Sequence, residues 1–164
     1  MDLSNWWASV RLWMMECPSE WRTLVYGERP NVLTYRVYCP MCQGYVFAIK
    51  MMIEKDKPKI SHVVELTCSN CQASIRLFDA QALGLAPISE GEQISQNYIC
   101  ACQNQGFYIV VGLEQAYGIE LYDADWHQAN VLPPEHEFDV SWMWIVLICN
   151  RCHKPETIVD WELE

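Results

Sequence analysis

Four close pairs of cysteines constrain this chain more than any other feature: CPMC at Cys39 and Cys42, CSNC at Cys68 and Cys71, CAC at Cys100 and Cys102, and CNRC at Cys149 and Cys152. A ninth cysteine, Cys17, stands alone before Pro18 and reads as a buried or spare thiol. Cysteines so near in sequence seldom bridge each other for structural reasons, and an odd total counts against a disulfide framework. The start MDLSNWW lacks the basic opening of a signal peptide, and the apolar run WMWIVLIC falls well short of the ~20 residues that cross a bilayer. A cytoplasmic setting, with thiols kept reduced, is therefore expected.

In reduced surroundings a pair with two intervening residues suits Zn²⁺. The turn aims both sulfurs at one point, its N–H groups can bond the thiolates, and two such turns complete a tetrahedron. Twenty-five residues separate Cys42 from Cys68, enough for a hairpin. The segments GYVFAIKMMIE and KISHVVELT have strand composition, and KDKPK between them supplies a polar turn. The second half repeats the plan with wider spacing. YICACQNQGFYIVVGLE parallels YCPMCQGYVFAIKMMIE, and WMWIVLICNRC parallels HVVELTCSNC, which reads as an internal duplication.

With these residues in view, the chain resembles zinc-ribbon proteins with rubredoxin-like metal knuckles, over residues 36–79 and more loosely 97–161. The resemblance implies a mainly β protein with a helical N-terminus (α+β), in which two tandem zinc-ribbon-like modules pack with a short Trp-rich helix. It also implies two structural Zn²⁺ ions. Cys39, Cys42, Cys68 and Cys71 would hold the first, and Cys100, Cys102, Cys149 and Cys152 the second. The chain departs from the family pattern in two ways. Gln43, Gln72 and His153 stand where a glycine usually follows a knuckle, and the third pair has one intervening residue. A cross-braced pairing of Cys39 and Cys42 with Cys100 and Cys102 stays open on spacing, although sequential pairing closes shorter loops. So does replacement of a cysteine by His127, His136 or His153.

The expected organisation is a helical segment at 1–35, a first module at 36–79, a linker at 80–96, and a second module at 97–164 with an insert at 112–139. LSNWWASVRLWMMEC predicts a helix capped by Ser4 or Asn5 and stopped before Pro18. Trp6, Val10, Trp13, Met14 and Cys17 would form its buried face. SEWRTLVYG predicts a second short helix, and DAQALG and DADWHQA one or two helical turns each.

Charge narrows the function. The net charge is −10, and residues 81–164 carry thirteen acids against two bases. Glu114, Glu120, Asp123, Asp125, Glu135 and Glu137, with Tyr117, Tyr122 and Trp126 among them, form a candidate face for a basic protein partner. A solvated loop is the competing reading. Nucleic-acid binding would rest on Lys50, Lys55, Lys57 and Lys59, but Glu54 and Asp56 interrupt that cluster and the acidic half repels phosphate. No deaminase pattern, phosphate-cradling glycine loop or nucleophile elbow is present, so neither an enzyme nor a small-molecule substrate is expected. Iron at a rubredoxin-like site would instead support electron transfer.

Overall fold

The computed structural model describes residues 4–26, 32–55, 57–85, 92–115 and 140–162. Helix α1 (Ser4–Val10) leads through a 3-10 turn into strand β1 (Met14–Glu16), and α2 (Ser19–Tyr26) follows. The remaining elements are strands: β2 (Val32–Val37), β3 (Phe47–Glu54), β4 (Lys57–Cys68), β5 (Ser74–Asp79), β6 (Gln93–Asn97), β7 (Phe107–Gln115), β8 (Val140–Cys149) and β9 (Pro155–Glu162). Among the described residues no helix is long and apolar enough to cross a membrane.

The mainly β expectation holds, and the predicted hairpin strands correspond to β3 and β4. The N-terminal helix is shorter than its apolar periodicity predicts. Met14–Glu16 leaves the helix to pair with Tyr35–Val37, and the Tyr38 N–H donates to the Trp13 carbonyl at 2.8 Å. Sheet hydrogen bonds thus override the helical preference of Met and Glu. The predicted buried face is split as a result. Trp6, Val10 and Met14 enter the main core, while Cys17 joins Val110 and Ile148 in a second cluster that Trp21 of α2 and Tyr108 complete. The second helix forms where expected, and DAQALG makes a turn in which the Leu83 N–H donates to the Asp79 carbonyl at 3.0 Å.

The nine strands among the described residues join one sheet of order β1-β2-β7-β3-β4-β5, with β6 beside β3 and with β8 and β9 continuing from β7. Alternation along the strands selects the core face. Phe47, Ile49, Met51 and Ile53 of β3 face the same core as Ile109, Val111 and Leu113 of β7 and Met143, Ile145 and Leu147 of β8. Trp161 of β9 packs against Phe78 of β5 and His62 of β4, so strands from opposite ends of the sheet meet across that core. Trp6 seals it, donating its indole N–H to the Leu77 carbonyl at 2.7 Å.

The registers contain an approximate twofold relation. Phe47 faces Phe107 across β3 and β7; on their other sides Phe47 faces Cys68 and Phe107 faces Cys149. Strand β2 runs beside β7 from Val32↔Glu114 to Arg36↔Val110. Strand β6 runs beside β3 from Gln93↔Glu54 to Asn97↔Lys50. Interchanging the halves maps one ladder onto the other, pair by pair. Two long interrupted runs, 32–54 and 93–115, therefore lie antiparallel, and each is broken by a cysteine turn. The strand leading into each run's cysteine turn is paired by the opposite run, so both halves share one sheet instead of pairing only within themselves.

Candidate metal centres

The cysteine turns occupy the breaks in the two central runs and the connections from β4 to β5 and from β8 to β9. In the first, the Cys39 N–H donates to the Gly44 carbonyl at 2.8 Å and the Gln43 N–H to the Cys39 carbonyl at 2.7 Å. The same two bonds recur from Cys68 to Ala73 (2.8 Å) and Gln72 to Cys68 (3.0 Å), and from Cys149 to Lys154 (3.2 Å) and His153 to Cys149 (2.9 Å). The shorter CAC turn closes the same ring one residue early, with Cys100 donating to Asn104 at 2.9 Å and Gln103 to Cys100 at 2.8 Å. In all four turns the residue after the second cysteine has a left-handed backbone: Gln43 at φ 61°, Gln72 at 64°, Gln103 at 68° and His153 at 58°. The glycine expected there is absent, and its conformation is kept.

This geometry brings the sulfurs together in sequence order. Cys39, Cys42, Cys68 and Cys71 form one group and Cys100, Cys102, Cys149 and Cys152 another, with the ligand atoms of each group within 4.8 Å of one another. Their close contacts are Cys39 to Cys71 and Cys42 to Cys68 at 3.5 Å, Cys100 to Cys152 at 3.6 Å, and Cys102 to Cys149 at 3.5 Å. A metal about 2.3 Å from each of four sulfurs requires tetrahedron edges of roughly 3.8 Å, close to these distances. Both groups are positioned to hold a metal ion. The cross-braced arrangement is not formed, and among the described residues each group consists of cysteine alone, so His153 supplies no ligand atom.

The polypeptide prepares one thiol in each group for ionisation. Burial raises Cys68, but N–H groups of Cys71 and Asn70 and the neighbouring thiols outweigh it and bring the group down to about 7. At Cys149 burial is likewise overcome by N–H groups of Cys152 and Arg151, the Asn104 amide and Cys102, to about 6. For Cys42 and Cys100 the balance reverses. A backbone N–H lowers each, from Gly44 and Cys102 respectively, but burial and the thiols sharing the site push both to about 12. Hydrogen bonds that favour the thiolate thus gather on Cys68 and Cys149, where a cation would take over from protons.

Sequence spacing did not reveal Asn104. Its Nδ2 lies 2.7 Å from the Gly106 carbonyl, 2.5 Å from Asn150 Oδ1 and 3.4 Å from Cys149 Sγ, so it ties the two turns of the second centre together. The signal was its position: Asn104 stands where the parallel segment has Gly44. Gly106 is constrained by its neighbours. A Cβ there would lie 2.9 Å from Val46 Cγ1 and 3.1 Å from the Asn150 side-chain amide, so any larger residue would force these side chains to shift where β7 approaches the first half.

Of the candidate partner residues, Glu114 is half-buried at the end of β7. Tyr117, Glu120, Tyr122, Asp123, Asp125, Trp126, Glu135 and Glu137 lie outside the described residues, as do DADWHQA, His127 and His136. Lys50 is exposed, and Lys55 pairs with Glu92 at 2.9 Å. The side chains of Lys57 and Lys59 are not among those described. A cavity of about 560 Å³ between α1 and β5 has Trp6, Arg76 and Asp79 on its walls. Those two charges pair with each other at 3.1 Å, and Arg76 also reaches Glu65 at 2.8 Å.

No protein-family model, curated protein or solved structure matches the chain.

Proposed function

We propose that this protein is a zinc-stabilised interaction module, without enzymatic activity of its own, that binds a basic protein surface in the manner of an inhibitor, immunity protein or adaptor. The observation that carries the reading is the closed four-sulfur geometry of both centres. Tetrathiolate zinc is coordinatively full, which leaves no position for water or substrate and makes the role structural. The matching registers on either side of Phe47 and Phe107 support reading the halves as copies of one stapled unit.

The choice of partner rests on charge. Thirteen acids against two bases in residues 81–164 would repel nucleic acid and speed association with a basic surface, and Tyr117, Tyr122 and Trp126 give that stretch aromatic anchors. The ion pair between Lys55 and Glu92 engages one cation on which nucleic-acid binding would depend.

Two measurements test the reading. Native mass spectrometry with elemental analysis should find two zinc ions per chain; iron in their place would overturn the zinc assignment. Reversal of Asp123, Asp125, Glu135 and Glu137 to Lys should abolish capture of the basic partner while leaving metal content unchanged. Undiminished capture would sink the acidic face.

A further inference from the structure

The twofold relation between the ladders leaves one sheet edge covered and, among the described residues, its counterpart unpaired. On β2 the outer edge is taken by β1, through Met14↔Val37, Met15↔Arg36 and Glu16↔Tyr35. The matched registers make Gln96, Asn97 and Tyr98 the counterparts of Tyr35, Arg36 and Val37. Among the described residues no strand lies on that side, since β6 pairs with β3 alone.

Two hydrogen bonds fix which backbone groups point outward. The Tyr98 N–H donates to the Ile49 carbonyl at 2.9 Å, and the Lys55 N–H donates to the Glu92 carbonyl at 3.0 Å. Bonded positions alternate along an antiparallel strand, so residues 92, 94, 96 and 98 turn toward β3. Gln93, Ser95, Asn97 and Ile99 direct N–H and C=O away from the sheet. Ile99 is the counterpart of Tyr38, whose N–H is the one that bonds Trp13 on the covered edge.

Side chains repeat the contrast. On the covered edge Tyr35 is buried beneath Trp7, with ring centroids 5.4 Å apart, and Val37 is buried opposite Met14. On the open edge Ile94 is 37% exposed, Ile99 47% exposed, and Gln93–Asn97 are exposed on both faces. Residues 93–99 contain no charged residue or proline, the devices by which edge strands discourage strand addition.

We propose that the outer edge of β6 is a strand-addition site for an extended segment of a partner protein, seated as Met14–Glu16 is seated on β2. The proposal rests on the interaction reading above and gives it a docking mode. The twin edge specifies the occupant: a short strand with an apolar side chain opposite Tyr98, in the place that Met14 takes opposite Val37. Charge complementarity with a chain of net charge −10 puts Lys or Arg beyond the paired residues.

The probe is a synthetic peptide, Arg-Leu-Trp-Met-Met-Glu followed by two Lys, titrated into metal-loaded, ¹⁵N-labelled full-length protein. Shifts are expected at the Asn97 and Ile99 amides, with their hydrogen exchange slowed at least tenfold. Asn97→Pro removes an outward N–H without touching the bonds to β3, and should abolish peptide binding, whereas Asn97→Ala should retain it. Ser95→Pro serves the same purpose if Asn97→Pro loses metal. No shift at millimolar peptide, an equal response to a scrambled peptide, or undiminished binding by the proline variants would overturn the proposal. If the peptide fails on wild-type protein but the acidic reversal abolishes partner capture, the edge falls and the interaction reading stands. Edge binding together with an indifferent acidic reversal would retain the edge and discard the acidic face.

Discussion

Four residues in left-handed backbone, none of them glycine, carry the cysteine turns. For an L-residue this conformation costs on the order of 1–2 kcal/mol, partly offset because glycine would lose more freedom on folding. Gln43→Gly and Gln103→Gly are therefore expected to stabilise the metal-loaded protein by up to about 1 kcal/mol in urea unfolding. Gln72→Gly should gain less, because the Gln72 side chain donates to the Cys68 carbonyl at 3.3 Å and the Ser69 carbonyl at 3.4 Å. Equal gains at all three positions would show that this capping contributes nothing. Asn104 presents the opposite case, a side chain whose removal should be costly. Asn104→Ala withdraws the amide from Cys149 and from the facing turn, and outer-sphere losses of this kind typically reduce metal affinity about 10–100-fold. Competition with a chromogenic chelator should show one metal released more readily than in the wild type and ahead of the other.

At the scale of elements, the Phe47 and Phe107 pair is where the two interrupted runs cross. Both rings are fully buried, Phe47 near Trp13 at 6.3 Å and Phe107 against Tyr98 at 5.2 Å. Phe47→Ala or Phe107→Ala should cost about 3–5 kcal/mol in denaturant midpoint analysis, through lost burial and a cavity that the surrounding turns cannot collapse into. A cost below about 1 kcal/mol would mean that the crossing is not a packing centre. The sequence made much of this region legible. The cysteine spacings located the turns and both sulfur groups, and the aliphatic and aromatic runs located β3, β4, β7 and β8. It did not reveal β6, since QISQN has no apolar alternation and is held by backbone bonds to β3. Nor did it reveal β1, because Trp13, Met14 and Cys17 keep helical spacing while the chain already pairs with β2. The pairing of each leading strand with the opposite half is a long-range register, set by partners about forty to eighty residues away in sequence, and no local pattern encodes it.

For the whole molecule, two consequences follow from what is buried and what is shared. Burial raises Cys17 from 9.0 to about 12 and raises Tyr35 and Tyr98 above their ordinary 10.0. The unfolded chain therefore releases these protons first. Stability from these groups is fully present below about pH 9 and lost as pH rises through the folded-state values. Thermal unfolding of metal-loaded protein should accordingly occur at a lower temperature at pH 10.5 than at pH 8, and an unchanged midpoint would contradict the burial of these groups. The second consequence concerns cooperativity. If each half folded by itself, Cys71→Ser would weaken the first centre and leave residues 97–164 melting as before. In the observed sheet β2 needs β7 and β6 needs β3, so a half that opens strips a ladder from the other. Loss of one sulfur should lower a single calorimetric transition for the whole chain, and Cys152→Ser at the second centre should do the same. Amides of β2 and β6 should lose exchange protection together in either variant. Two resolved transitions, with one at the wild-type temperature, would show that the shared ladders are too weak to couple the halves.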